Sequence, residues 1–328
     1  MAIKIFNQQK VFSKFAWAYL GYNLLVIMWG AFVRATGSGA GCGSHWPLCD
    51  GVVIPRAPEV ETLIELTHRL TSGLLVPFFI GLMVGAFRIF PKGSPVRKAL
   101  YFVGFFTLTE ALVGAGLVKF ELVGENSSAE RAIVMMFHLI NTFWLIGAIT
   151  LTAWWAQIGP PQKIRWPKRV GIYLVIGLAG MMVLGASGAV AALGDTLYPS
   201  SSLVEGVRQD FDPTAHFLIR LRIFHPLIAI GLGAYLIVLS HFLRRTYPDS
   251  MMQKTTGVLS GLYIGQLVLG VINVLLLAPI AIQLIHLLVT ELIWIALLLT
   301  TELFFGGRIV LQRASDHLIQ NPVNQTAT

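Results

Sequence analysis

The stretch TGSGAGCGSHWPLCDG, residues 36–51, contains both cysteines of the chain, Cys42 and Cys49, with six residues between them. It is polar and glycine-rich in an otherwise apolar sequence. Glu65-Leu66-Thr67-His68-Arg69 follows at the head of a long apolar run. Three chemistries suit such a cysteine pair. It can staple a small loop in a compartment that permits disulfides, act as a redox pair, or help to hold zinc. Zinc fits least well, because only His45 is close and a fourth ligand is not evident.

The chain has eight histidines. His45 falls in the cysteine stretch, His216 and His241 near the ends of a later apolar run, and His317 in the tail. His68, His138, His225 and His286 stand inside four different apolar runs, each about 5–10 residues from its start, a depth of roughly 8–15 Å at the α-helical rise. Ionisable groups at such depth in lipid are costly and mark functional sites. Cofactor sites in bundles are built from side chains on facing helices. Two imidazoles per bundle suit the two axial positions of a haem iron, so the residues point to two haem-sized sites. Hydrogen-bonded interior histidines and a proton relay are the competing uses. Copper is a third, without a Met-rich or Cys ligand set inside the runs.

The two sites are not equivalent. Glu65 precedes His68 by three residues, so both share one helix face. Arg69 follows His68, whereas Pro226 follows His225, where it is expected to kink the helix. The cysteine loop belongs to the first half alone. Chemistry is therefore expected in the first half and an unreactive cofactor in the second.

These residues need long apolar elements to position them. Of 328 residues, 55% are hydrophobic and 12% charged, against about 25% charged in ordinary soluble domains. Runs of roughly 20 apolar residues read as membrane spans. Eight are expected, at about 15–35, 63–87, 98–119, 131–156, 170–193, 215–243, 255–277 and 280–304. The first is too long for a cleavable signal peptide. The net charge of +8 does not point to nucleic acid, because of where the charges lie. Sixteen of the 24 basic residues fall on one side of an eight-span chain: Lys4, Lys10, Lys14, Arg88, Lys92, Arg97, Lys98, Lys163, Arg165, Lys168, Arg169, Arg244, Arg245, Lys254, Arg308 and Arg313. The positive-inside rule then puts both termini in the cytoplasm and the 36–62 loop outside.

The sequence also repeats. Glu110-Ala-Leu-Val-Gly114 in span 3 matches Gln266-Leu-Val-Leu-Gly270 in span 7, and His138 in span 4 matches His286 in span 8. WGAFVRATGSGAG leaving span 1 parallels LGASGAVAALGD leaving span 5. Four spans per repeat keep the same orientation, so the halves are expected to be related by an axis along the membrane normal. The expected fold is an all-α integral membrane protein whose eight transmembrane helices form two pseudo-symmetric four-helix bundles. Its parts are an N-terminal bundle over 1–157, a cytoplasmic linker over 158–169, and a C-terminal bundle with a short cytoplasmic tail over 170–328.

VRATGSGAGCGSHWPLCDG, ELTHRL, FHLINT, LRIFHP and QLVLGVINVLLLAPIAIQLIHLL together resemble the heme A synthases of bacteria and mitochondria, across residues 15–304. The loop with Glu-x-x-His-Arg is the specific part. The resemblance implies oxidation of the C8 methyl of haem O to a formyl, giving haem A for cytochrome oxidase. It implies substrate haem O between His68 and His138, and a permanent haem b on iron ligands His225 and His286. It further implies a catalytic Glu65 and a Cys42–Cys49 disulfide. Haem carries two propionates, and Arg34, Arg69, Arg220 and Arg222 are the candidates to pair with them, with Arg69 also placed to order Glu65. Departures from the family stand beside these. The span 5–6 loop has no cysteine, which excludes a relay through two disulfides. Glu110 stands where Gln266 and many relatives have an amide, and is expected to be hydrogen-bonded between helices. Expected partners are haem O, the enzyme that makes it, oxidase assembly factors, the bilayer and another copy of the chain, in a cell membrane. The competing functions are a di-haem b-type electron-transfer protein linked to quinol and a haem transporter.

Overall fold

A computed structural model describes residues 2–161 and 168–306, with side chains for residues 7–161 and 169–306. Most of the expected linker, with Lys163 and Arg165, and the tail residues Arg308, Arg313 and His317 lie outside the described residues, as do the side chains of Lys4 and Lys168. Among the described residues there is no strand, only an isolated bridge between Cys49 and Val52. Among the described residues, eight helical segments are long and apolar enough to cross a membrane.

Span 1 is α1 (Ala2–Ala35). Span 2 is α2 (Val60–Gly73) followed by α3 (Leu75–Ile89). Spans 3, 4 and 5 are α4 (Pro95–Lys119), α5 (Ala129–Ile158) and α6 (Lys168–Leu197). A short α7 (Leu203–Phe211) then precedes span 6, which is α8 (Phe217–Arg222) followed by α9 (Phe224–Thr246). Spans 7 and 8 are α10 (Ser250–Leu275) and α11 (Ile280–Phe305). The local reasons are ordinary helix signals. Ser94 and Ser128 cap α4 and α5 by accepting from the amides of Arg97 and Arg131, and Asp249 caps α10 through Met251 and Met252, satisfying amides that have no intrahelical partner.

Two prolines interrupt spans 2 and 6. Pro77 cannot donate to the carbonyl of Gly73, nor Pro226 to that of Arg222. The helices break at Leu74 and Ile223, each three residues before its proline. The Pro226 break agrees with the sequence; the Pro77 break is a finding of the structure. Its consequence is an asymmetry: His68 stands on the segment before the break, His225 on the segment after it.

The packing follows the repeat. Within the first half α1 packs on α5, and α4 on α5; within the second α6 packs on α11, and α10 on α11. Between the halves α1 meets α11 and α5 meets α6, which are equivalent pairs. Spans 1, 4, 5 and 8 thus form the seam. Phe143 stacks on Trp294 at 5.1 Å, and Trp294 Nε1 donates to the Phe143 carbonyl at 2.7 Å. Glu302 accepts from Trp154 Nε1 at 2.8 Å and Trp155 Nε1 at 3.0 Å. A Cβ on Gly185 would stand 2.6 Å from the Phe143 ring, so this close approach needs glycine. The outer faces of the spans carry exposed Phe, Leu, Val and Ile, as lipid contact requires.

Candidate functional site

The cysteine loop is fastened to the start of α2. Cys42 and Cys49 are disulfide-bonded. Gly41 lies against the α2 backbone so closely that a Cβ would stand 2.5 Å from the Glu61 carbonyl carbon. Thr62 Oγ1 donates to the Gly41 carbonyl at 2.6 Å. Glu65 is buried at 3% exposure, and both of its oxygens are engaged. One accepts from the Cys42 amide at 2.8 Å; the other accepts from Arg69 Nε at 3.1 Å and from Arg69 Nη2. Arg69 also donates to the carbonyls of His45 and Leu48, at 2.7 and 2.5 Å. Acid, arginine and disulfide loop are one hydrogen-bonded unit, set one helical turn from His68.

His68 rests on Gly30 of α1, where a Cβ would stand 2.9 Å from its Cε1. His68 Nδ1 is buried without a hydrogen-bond partner. His138 Nδ1 is also buried without a hydrogen-bond partner, and lies 3.4 Å from Glu110 Oε1.

The second half repeats this plan. His225 rests on Gly188 of α6, where a Cβ would stand 3.0 Å from Cε1. Gly30 and Gly188 therefore set the register between spans 1 and 5. The His225 and His286 rings are 6.3 Å apart between centroids, at 70°. Two metal–nitrogen bonds of about 2 Å and the half-width of each ring together span about 6 Å, so one axially ligated iron fits between them. His225 Nδ1 is paired with Ser187 Oγ at 3.1 Å, which leaves Nε2 for a ligand. The fit to haem rests on this spacing and on the two glycine cradles. Among the described residues no group of three or more His, Cys, Asp or Glu side chains gathers to hold a bare metal ion; a haem iron needs only its axial pair.

The four arginines are deployed differently from one another. Arg34, on α1, reaches into the other half: it donates to the Ala192 carbonyl at 2.7 Å, to Thr196 Oγ1 and to Gln283 Oε1 at 2.9 Å. Gln283 is one turn before His286, and Ala192 one turn after Gly188. By its hydrogen bonds Arg34, although on a first-half helix, is tied to the helices that carry the second histidine pair and its glycine. Arg222 pairs with Asp195 at 3.3 Å and with Asp210, and donates to the Gly206 carbonyl at 3.2 Å. It holds the second loop as Arg69 holds the first. Arg220 is exposed, with one 3.5 Å contact to the Pro213 carbonyl. Sequence reasoning passed over Gly30, Gly188, Ser187, Asp195 and Asp210. The glycines had a signal in the repeat, WGAF against SGAV; the others had none.

Fold and site together define a polytopic all-α membrane protein whose second half brings His225 and His286 together and whose first half carries His68 on α2 and His138 on α5. The model of the COX15-CtaA family, cytochrome oxidase assembly protein, matches residues 13–298, and the chain belongs to this family of heme A synthases. It is similar to the heme A synthase of Alkalihalophilus pseudofirmus, with 30% identity over 286 residues, 84% of this chain and 91% of that one. A Thermus thermophilus protein named protoheme IX farnesyltransferase is 48% identical over 298 residues, 90% of this chain and 49% of that protein. The chain thus spans about half the length of the Thermus relatives it matches.

Proposed function

We propose that the chain binds haem O between His68 and His138 and oxidises its C8 methyl to a formyl, making haem A. His225 and His286 would hold haem b, which supplies a one-electron centre close to the first site. The observation that carries this reading is the buried unit of Glu65, Arg69 and the disulfide loop, which stands beside one histidine pair and is absent from the other. A protein that only carried electrons between two similar haems would have no use for it, and neither the electron-transfer nor the transport reading draws support from the comparisons.

The path from methyl to formyl releases protons as well as electrons. Glu65 is the acid nearest His68 along the helix and can hold a proton at a carboxyl oxygen. Because its oxygens also bind the Cys42 amide and Arg69, taking a proton there weakens its grip on the loop. Arg69 orients the carboxylate and ties it to the loop carbonyls, and the loop excludes water above the site. Arg34, beside His286, is the arginine placed to meet a carboxylate of a haem in the second half.

The name of the Thermus relatives belongs to proteins about twice as long as the region matched. Farnesylation of protohaem yields haem O, the compound oxidised here, so that name and this reading describe consecutive steps. A haem O-forming farnesyltransferase and oxidase assembly factors are the partners this implies. The lean of the basic residues to one side of the spans supports a topology with both termini in the cytoplasm and the disulfide loop outside. The test is the pigment made when the chain is expressed in a cell that makes haem O. Haem A is expected; unchanged haem O, with the protein present and folded, would overturn the reading.

A further inference from the structure

Glu110 of α4 and Gln266 of α10 occupy equivalent places, each beside the distal histidine of its half. Their surroundings differ in a way that fixes what each side chain does. In the second half, Gln266 Nε2 donates to the His286 carbonyl at 2.9 Å and to Thr290 Oγ1 at 2.7 Å. Its Oε1 is buried without a partner, and so is His286 Nδ1.

In the first half, the same place faces Asn141, Thr142 and His138. Asn141 cannot turn its amide round. Its Oδ1 accepts from Thr109 Oγ1 at 2.6 Å, and its Nδ2 donates to the Phe106 carbonyl at 3.0 Å. That orientation points Nδ2 at Glu110 Oε2, with which it is bonded. Thr142 Oγ1 stands 2.6 Å from Glu110 Oε1 and 3.0 Å from the His138 carbonyl, as Thr290 stands to the His286 carbonyl in the other half. Glu110 Oε1 also stands 3.4 Å from His138 Nδ1. Asn141 presents a hydrogen to Oε2, and Oε1 is the oxygen left within reach of His138 Nδ1, where a carboxylate offers an acceptor and an amide nitrogen does not. An amide would satisfy Asn141 with its oxygen and then turn its NH2 toward His138.

We propose that Glu110 is a positioning residue that accepts from His138 Nδ1, fixes its tautomer so that Nε2 faces the bound haem, and makes it a more electron-rich ligand than His286. A carboxylate on the far nitrogen of a ligating histidine raises its basicity. A haem in the first half is thereby held at a lower reduction potential than one in the second. The two sites are made unequal by one side chain that the repeat would otherwise make alike. This rests on the haem-binding part of the proposed function, not on the oxidation itself.

The test is a spectroelectrochemical titration of the purified chain loaded with protohaem at both sites. His138→Ala identifies the first-site component by removing it. Glu110→Gln is expected to shift that component to more positive potential and leave the other in place. Glu110→Asp, which keeps the charge but withdraws the oxygen, is expected to shift it the same way, and serves if the Gln variant does not fold. Gln266→Glu is expected to move the other component to more negative potential. Unchanged potentials in folded Glu110 variants would overturn the proposal and leave Glu110 a tie between α4 and α5. A haem content that never exceeds one per chain, and that His68→Ala and His138→Ala leave unaltered, would overturn the first haem site and this inference with it. A shifted potential in a chain that makes no haem A would uphold the inference while the oxidation failed.

Discussion

Glu65 is held by three donors, yet it stands one turn from the histidine of the proposed reacting site. Glu65→Gln separates its two roles. The amide oxygen can still accept from Cys42, but the side chain no longer takes a proton and turns an NH2 toward Arg69. The expected outcome is a folded protein with second-half haem retained and haem A production lowered by about 10²–10⁴-fold, the usual contribution of a positioned base. Pigment extracted at equal protein level measures this, and wild-type yield would leave Glu65 as a loop anchor only. The histidines separate in the same way. His225→Ala or His286→Ala is expected to lose the tightly held haem, and His68→Ala or His138→Ala to retain it while losing the substrate haem. The haem-to-protein ratio decides; full haem in all four variants would remove the two-site assignment.

Among elements, the histidine-bearing spans are seated by glycines on spans 1 and 5. Gly188→Ala would drive a methyl to within 3.0 Å of His225 Cε1. Overpacking of this kind costs about 1–3 kcal/mol, and haem retention is expected to fall with it. Gly114 is the control. It is in the interior of α4 and a Cβ there meets nothing within 4 Å, so Gly114→Ala is expected to stabilise by up to about 1 kcal/mol through helix propensity. Melting temperature in detergent, with the haem ratio, compares the two. Equal behaviour would mean that the Gly188 cradle does not set the site.

Across the whole molecule, the seam couples the halves. Arg34→Met removes the hydrogen bonds from α1 to Ala192, Thr196 and Gln283. Leaving buried acceptors unpaired costs about 1–3 kcal/mol, and the loss is expected to appear as a lower melting temperature together with weaker haem retention in the second half, although Arg34 lies in the first. A melting change with unaltered haem retention would make Arg34 a seam residue alone. Orientation is tested at the same scale. An impermeant thiol reagent is expected to label Cys42 and Cys49 only after reduction and only from outside the cell. Labelling from the cytoplasmic side would invert the topology.

The amino-acid sequence by itself determined whatever depends on distance along one helix. Eight apolar runs of spanning length, four histidines at matched depth, the i, i+3 relation of Glu65 to His68 and the kink at Pro226 all follow from rise, period and a missing amide hydrogen. They hold whichever helices become neighbours. Only the tertiary structure decided whatever depends on which helices meet, and at what rotation. Arg34 serves the opposite half because α1 crosses the seam to α6 and α11. One Glu65 oxygen is taken by the Cys42 amide because the cysteine loop folds back over α2. Asn141 presents its NH2 to Glu110 because Thr109 and Phe106, on a different helix from Asn141, claim its other faces. Spacing in a sequence fixes the direction of a side chain about its own axis. It does not fix what stands opposite, which the packing of several helices sets together.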